Sequence, residues 1–190
     1  MLHRFVLLPF LALLSACNKP AAEFPAVVRS SVVLMRPGLG AVCGGVAIGE
    51  RTILTAAHCV DDVHRVAYVD LGSWSKYARR FQWANVIVRD PGTDVALLRP
   101  DLPLEEWAII RPPVDYEELR VVIDFEVKRP ELSYVSDLKM GIYKGDSGSG
   151  VFGKDGAAVG IVVTCQTTDG NHCDGLRGRY SPVRSEWLTP

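Results

Sequence analysis

Short apolar runs separated by turn-forming residues recur along most of the 190-residue chain. Up to residue 98 these runs are Val27–Met35, Val42–Ile48, Thr52–Ala56, Val63–Leu71, Val86–Val88 and Val95–Leu98. Beyond it they are Arg120–Val127, Leu132–Met140, Gly150–Phe152, Ala158–Thr164 and Arg179–Val183. Helical periodicity is nearly missing, and Gly, Pro and Asp stand between the runs. This pattern predicts an all-β protein, either a sandwich or a barrel.

Prolines divide the predicted strands into two sets. Four prolines fall between residues 100 and 113. Because proline has no N–H to donate to a sheet, this stretch predicts a crossing segment rather than a strand. We therefore expect two β-rich halves, residues 27–108 and 109–190.

The first 16 residues are typical of an export signal. Arg4 gives a short positive start, an apolar run follows from residue 5 to 14, and Ser15 and Ala16 are the small residues that a signal peptidase accepts. The run is shorter than the roughly 20 apolar residues that span a bilayer. We predict a signal peptide over residues 1–16.

The end of this signal resembles the lipobox of bacterial lipoproteins. In Leu14-Ser15-Ala16-Cys17 the cysteine would become the acylated first residue, and the alternative is an ordinary signal with a leftover cysteine. Asn18, in place of an aspartate, suggests sorting to the outer membrane of a Gram-negative host. The resemblance implies a lipid anchor at Cys17, a tether over residues 17–26, and a domain attached to the cell envelope and facing the periplasm.

Four further cysteines indicate the redox state of the compartment in which the chain folds: Cys43, Cys59, Cys165 and Cys173. An even number in an exported chain predicts two disulfides, although three pairings are possible and the sequence alone does not choose among them. A zinc site is the competing interpretation, but no pair has the close C-x-x-C spacing of structural zinc sites. We favour disulfides.

The charge of the chain argues against one class of partner. There are 21 basic and 22 acidic side chains, for a formal net charge of −1. Nucleic-acid-binding proteins normally present a basic surface, so no nucleic-acid partner is expected.

Three segments carry residue types that together activate a serine. His58 lies in LTAAHC at the end of a predicted strand, Asp94 precedes the apolar run of GTDVALL, and Ser147 lies in KGDSGSG. Serine is a poor nucleophile unless a base takes its proton and a third group orients that base. We predict His58, Asp94 and Ser147 as a catalytic triad. The alternatives are a surface histidine, a turn aspartate and a flexible Gly/Ser loop.

The glycines around Ser147 indicate a backbone anion site. Gly145 and Gly148 allow turns closed to other residues, so the amides of Gly145 and Ser147 could converge on a developing oxyanion. The nucleophile elbow of α/β-hydrolases is excluded, because its G-x-S-x-G pattern would need glycine at the position of Ser149.

The segments TAAHC, DVALL and GDSGS, in this order, resemble the trypsin/chymotrypsin superfamily of serine endopeptidases. The resemblance runs from about Val27 to the C-terminus. It implies two antiparallel six-stranded β-barrels with the active site in the cleft between them. His58 and Asp94 would come from the first barrel and Ser147 from the second. It also implies peptide-bond cleavage through an acyl-enzyme, with protein or peptide substrates and neither cofactor nor metal.

The resemblance assigns further residues to the cleft. It implies a Cys43–Cys59 disulfide beside the base and a Cys165–Cys173 loop closure near the cleft. The substrate-binding positions that it implies are Gly141, Ile142, Val163, Thr164 and Gly178.

The primary pocket is predicted to be neutral. In the family that the chain resembles, the residue six before the nucleophile forms the floor of this pocket. Here that residue is Gly141, so the resemblance implies that the acid that attracts Lys or Arg is missing, and small or apolar side chains are expected. An acidic preference is the alternative, because four basic or titratable residues are candidates to face the cleft: Lys144, His172, Arg177 and Arg179.

Three features depart from the family pattern. The chain has no Ile-Val-Gly-Gly-like start after an activation site, Tyr143 stands where a cysteine is usual, and Ser149 replaces a glycine. They bear on activation and oxyanion geometry, whereas the triad segments are intact. Two other functions stay open at this stage: a binding module that keeps the protease fold, and an esterase that uses the same chemistry.

Overall fold

The computed structural model describes residues 25–36, 40–72, 81–115, 117–123, 126–128, 131–134, 137–139, 142–143, 145–167 and 173–184. The predicted signal peptide, Cys17, the tether up to residue 24, Gly141, Lys144 and His172 lie outside these ranges. Within them, no helix has the length and apolar character needed to cross a membrane.

The first half is a closed antiparallel barrel of six strands in the order β1-β2-β3-β6-β5-β4. The strands are β1 (Ser31–Arg36), β2 (Gly40–Gly49), β3 (Thr52–Thr55), β4 (Arg65–Asp70), β5 (Gln82–Asp90) and β6 (Val95–Pro100). Each contains or overlaps one of the predicted apolar runs. A 3-10 helix over Ala57–Val60 follows β3 directly.

The second half is an antiparallel sheet of seven strands in the order β8-β7-β11-β12-β13-β10-β9. Its strands are β7 (Arg120–Ile123), β8 (Glu126–Lys128), β9 (Glu131–Tyr134), β10 (Asp137–Lys139), β11 (Gly150–Phe152), β12 (Ala158–Thr167) and β13 (Cys173–Pro182). Two predicted runs are each a hairpin, β7–β8 and β9–β10, so this half has more strands than the six that the resemblance implies. The all-β prediction is confirmed.

The start of the predicted first strand is wrong. The run from Val27 begins with a short helix, α1 (Ala26–Arg29), and the strand starts only at Ser31. Pro25 precedes the helix, where its missing N–H has no intrahelical partner to lose. The Ser31 hydroxyl donates a 2.8 Å hydrogen bond to the Val27 carbonyl and stabilises the turn. Both valines of the helix are buried, and the free energy of burying them outweighs the preference of valine for strands.

The two halves share a packed interface. The larger cluster of buried residues fills the first barrel with side chains such as Leu34, Ile53 and Tyr68, and it also includes Phe152 and Ile161 from the second sheet. A smaller cluster lies within the second half: Leu119, Val121, Ile123, Ile142, Val151, Val159, Val162 and Tyr180. The two halves are therefore joined by a continuous apolar core.

From residue 101 to 113 the proline-rich segment contains no strand, as predicted, but the prediction is wrong at its start, because Pro100 is the last residue of β6. The Leu104 N–H donates to the Glu50 carbonyl of the first barrel, and Ile110 forms a bridge with Ala158 of β12. The segment therefore crosses from one half to the other while bonded to both. The boundary at residue 108 stays a prediction.

Candidate active site

His58 is carried by the 3-10 helix that follows β3. A disulfide between Cys43 of β2 and Cys59 ties this helix to the barrel. The side chain of His58 is 44% exposed, so its ring is open to solvent while its backbone is fixed. This placement just beyond a strand end agrees with the sequence prediction.

Asp94 lies directly before β6 and contacts His58 through both carboxylate oxygens. Its Oδ1 accepts a 3.0 Å hydrogen bond from the His58 backbone N–H, and its Oδ2 lies 2.8 Å from His58 Nδ1. The Asp94 carbonyl also accepts from the Ala57 N–H at 3.1 Å. Because the carboxylate accepts, the proton of a neutral imidazole is held on Nδ1, and Nε2 is left as a base.

The charges around His58 favour its protonated form. The hydrogen bond with Asp94 raises the pKa of His58 above its ordinary value, although burial opposes this, and the charges of Asp94 and Asp61 add to the increase. Asp61 was not identified from the sequence. The Arg89 guanidinium donates a 3.0 Å hydrogen bond to the Asp61 carboxylate, and the Arg36 guanidinium donates to the Asp61 carbonyl. An acidic residue one helical turn after the base is the signal that could have identified it.

The loop that carries Ser147 is bonded to both halves. The Ser147 carbonyl accepts a 2.7 Å hydrogen bond from the Gly44 N–H of β2. The next residue, Gly148, donates to the Val162 carbonyl of β12 at 2.6 Å. The candidate nucleophile therefore lies where the first barrel meets the second sheet.

The disulfide lies beside both His58 and Ser147. Cys59 Sγ is 3.7 Å from the Ser147 carbonyl oxygen, and a ring nitrogen of His58 lies within 4.8 Å of both Cys43 Sγ and Cys59 Sγ. The three predicted triad residues thus lie close together, with Asp94 against His58 and both His58 and Ser147 beside the Cys43–Cys59 disulfide. Among the hydrogen bonds of the described residues, none joins the Ser147 hydroxyl to His58.

Two glycines allow the serine loop to approach the barrel closely. Gly148 has φ +82°, and a Cβ there would collide with the Gly44 carbonyl and with Thr55 Oγ1. Thr55 Oγ1 itself donates to the Gly44 carbonyl at 2.8 Å. A Cβ on Gly44 would lie 2.5 Å from Ser149 Oγ. The sequence alone indicated that a glycine is needed at position 148. The roles of Gly44 and Thr55 could not be predicted in this way, because they depend on a contact between segments far apart in the chain.

The predicted oxyanion amides have no hydrogen-bond acceptor among the described residues. Gly145 has φ +108°, and neither its N–H nor that of Ser147 donates to another described residue. A reciprocal pair of bonds shapes the loop: the Tyr143 N–H donates to Asp146 Oδ2 at 2.7 Å, and the Asp146 N–H donates to the Tyr143 carbonyl at 3.0 Å. The Asp146 carboxylate is thus bonded within its own loop.

The predicted substrate-binding residues have different surroundings. Ile142 is 1% exposed and packs in the smaller buried cluster, and Val163 is partly buried against the larger one. Thr164 lies on β12 and Gly178 lies on the neighbouring strand β13, but the Thr164 side chain and the whole of Gly141 are outside the described part. Their roles in substrate binding stay predictions.

The cysteines of the site form a disulfide rather than a metal site. The Cys43–Cys59 bond that the resemblance implied is present, and with it no thiolate is left to join His58 as a metal ligand. Cys165 and Cys173 lie on β12 and β13, but their side chains are outside the described part. That pairing stays a prediction.

Comparison with solved structures finds the same fold. The protease domain of MamO from Magnetospirillum magneticum has a TM-score of 0.66 and 15% identity, covering 86% of this chain and 95% of that one. A human pathogenic astrovirus serine protease gives 0.63 and 20%, covering 88% and 96%. A serine endoprotease from Yersinia pestis gives 0.59 and 19%, covering 83% and 61%. At these identities the likeness shows the fold alone.

The comparison by sequence gives the family. No curated protein matches the sequence significantly. The family model described as Trypsin matches residues 18–115, a segment that contains His58 and Asp94 and ends before Ser147. The matched segment is just over half of the 190 residues, and the fold agrees with it. This chain therefore belongs to the trypsin family.

Proposed function

We propose that this protein is a serine endopeptidase in which His58 is the general base, Asp94 orients it and Ser147 is the nucleophile. The observation that carries the proposal is the contact of one carboxylate with both the backbone and the ring of His58, beside a serine loop bonded to the same barrel. The match to the trypsin family and the fold shared with a solved protease domain support the proposal.

The chemistry follows from the proton positions. With its Nδ1 proton directed at Asp94, His58 accepts the Ser147 hydroxyl proton at Nε2 as Oγ attacks the carbonyl carbon of a peptide bond. The N–H groups of Gly145 and Ser147 are available to stabilise the oxyanion, which is worth about 3 kcal/mol per donor. His58 then gives the proton to the leaving amine, and a water molecule activated by His58 hydrolyses the acyl-enzyme.

The preference for small or apolar side chains next to the cleaved bond stays part of the proposal. It rests on the absence of an acid at Gly141 and Ile142. Cleavage of a peptide library profiles it directly, and a profile dominated by Lys or Arg would refute the neutral pocket. A profile dominated by Asp or Glu would instead support the alternative preference.

The decisive experiment is labelling with a fluorophosphonate probe, which reacts with activated serines. The wild-type protein should be labelled, and Ser147→Ala should lose the label. Ser149→Ala is the matched control, because it removes the nearest other hydroxyl of the loop and should keep labelling. An unlabelled wild-type protein would indicate a binding module. Labelling with ester hydrolysis but no peptide or casein cleavage would indicate an esterase.

We also propose export and a lipid anchor at Cys17, on the resemblance of residues 14–17 to a lipobox. The test is incorporation of a labelled fatty acid together with cell fractionation. Cys17→Ser should lose the label and leave the membrane fraction, and Cys17-independent membrane association would contradict the anchor. Separation of inner from outer membrane then tests the predicted location.

A further inference from the structure

The turn between β5 and β6 ends on Asp94 and is organised by the side chain of Asp90. Asp90 pairs with Val95 across the hairpin, so residues 91–94 form the loop. Asp90 Oδ1 accepts hydrogen bonds from the N–H groups of Gly92 at 2.9 Å and Thr93 at 3.4 Å. Asp90 Oδ2 accepts a 2.7 Å hydrogen bond from the Thr93 hydroxyl. One carboxylate thus binds the residue directly before Asp94 at two points.

The conformation of Asp94 shows why this bonding matters. Asp94 has φ +54°, in the left-handed region that residues other than glycine seldom adopt. In this conformation its carbonyl faces the Ala57 N–H while its carboxylate faces His58. A small rotation of the backbone at Thr93 or Asp94 would move the carboxylate away from the imidazole.

We propose that Asp90 and Thr93 are positioning residues, which hold Asp94 in its left-handed conformation so that its carboxylate meets His58. This inference rests on the proposed function, in which Asp94 orients the base. The hydrogen bond from Thr93 also holds the pKa of the Asp90 carboxyl below its usual value, so Asp90 remains an acceptor across the pH range in which His58 titrates.

The alternative is a purely structural role, in which the turn only closes the hairpin between β5 and β6. Such a role would change the melting temperature and leave the chemistry of His58 unchanged. Two readouts separate the alternatives: the division of the effect between kcat and KM, and the pKa of His58 measured by NMR titration of its ring. The ring signal can be assigned by its loss in His58→Gln.

The central variant is Thr93→Val, which removes the hydroxyl and keeps the branched shape. We expect kcat on a peptide substrate to fall about 10- to 100-fold with little change in KM, since a displaced orienting group slows the chemical step. The pKa of His58 should move down toward about 6.5, and Thr93→Ser should restore both values. Thr52→Val is the control, because the Thr52 hydroxyl bonds to no other described residue and the position lies at the far end of β3.

A second variant keeps the test decisive if Thr93→Val folds poorly. Asp90→Asn retains an acceptor for the Gly92 N–H but presents an amide group to the Thr93 hydroxyl, so the same loss is expected. Unchanged kcat and unchanged His58 pKa in folded variants would overturn the inference. If the wild-type protein cleaves no peptide, the proposed function fails, and the NMR titration still decides whether the turn positions Asp94.

Discussion

Asp94 and His58, 36 residues apart in the sequence, are joined by a two-point contact that fixes both the backbone and the ring of the histidine. The Asp94 carboxylate accepts from the His58 N–H at 3.0 Å and lies 2.8 Å from Nδ1. A rotation of the imidazole about its side-chain bonds breaks the second contact while the first holds the backbone in place. The tautomer and the direction of the ring therefore depend on one carboxylate.

The first prediction concerns the pH dependence of catalysis. The hydrogen bond with Asp94 raises the pKa of His58 above its ordinary value of about 6.5. As the pH falls, His58 is therefore protonated and lost as a base at a pH above about 6.5, and the acid limb of kcat/KM should lie at that pH. Asp94→Asn should lower kcat by about 10⁴-fold and move the limb to lower pH. Full activity retained at pH 4 would contradict the role of His58.

Asp61 gives a second prediction about the same group. Its charge contributes to the raised pKa of His58, so Asp61→Asn should lower that pKa and shift the acid limb of kcat/KM in the same direction. Asp62→Asn is the matched control, since it removes the same charge one residue further along, and only Asp94 and Asp61 are identified as charges that raise the pKa of His58. An equal shift in both variants would mean that general charge, rather than the position of Asp61, sets the pKa.

The sequence predicts those parts of the site that are encoded locally. The segments around His58, Asp94 and Ser147 each combine a reactive residue with a strand end or a glycine-rich turn, and local patterns carry that information. Gly44 could not be identified in the same way, because its role depends on a serine loop about 100 residues later. The helix at Ala26–Arg29 was missed because burial of Val27 and Val28 overrides their preference for strands.

A third prediction tests the close approach at Gly148. Gly148 and Gly156 both have positive φ, +82° and +83°, but a Cβ on Gly156 would meet only Val27 Cγ1 at 3.8 Å. Gly156→Ala should therefore cost about 1 kcal/mol in the free energy of unfolding, from backbone strain alone. Gly148→Ala should cost about 2–4 kcal/mol, because it adds a collision with Gly44 and Thr55. Urea denaturation measures both, and equal losses would contradict the collision.

The fourth prediction concerns an ion-pair cluster that ties the crossing segment to the second sheet. Arg111 Nη2 donates to Glu117 Oε2 at 2.6 Å, and Arg111 Nε donates to Asp155 Oδ2 at 2.9 Å. Arg111→Met should lower the free energy of unfolding by about 1–3 kcal/mol, since it leaves the mostly buried Glu117 without its cation. The more exposed Arg89–Asp61 pair offers the control, and Arg89→Met should cost at most about 1 kcal/mol.

The same cluster predicts how stability changes with acid. The hydrogen bond from Arg111 lowers the pKa of Glu117, so its contribution to stability is fully present above about pH 4.3, the value in the unfolded chain. That contribution is lost as the pH falls through the lower pKa of the folded protein. The melting temperature of the wild-type protein should therefore decrease more steeply below pH 4 than that of Glu117→Gln. Parallel curves for the two proteins would show that Glu117 titrates in the folded protein as it does in the unfolded chain.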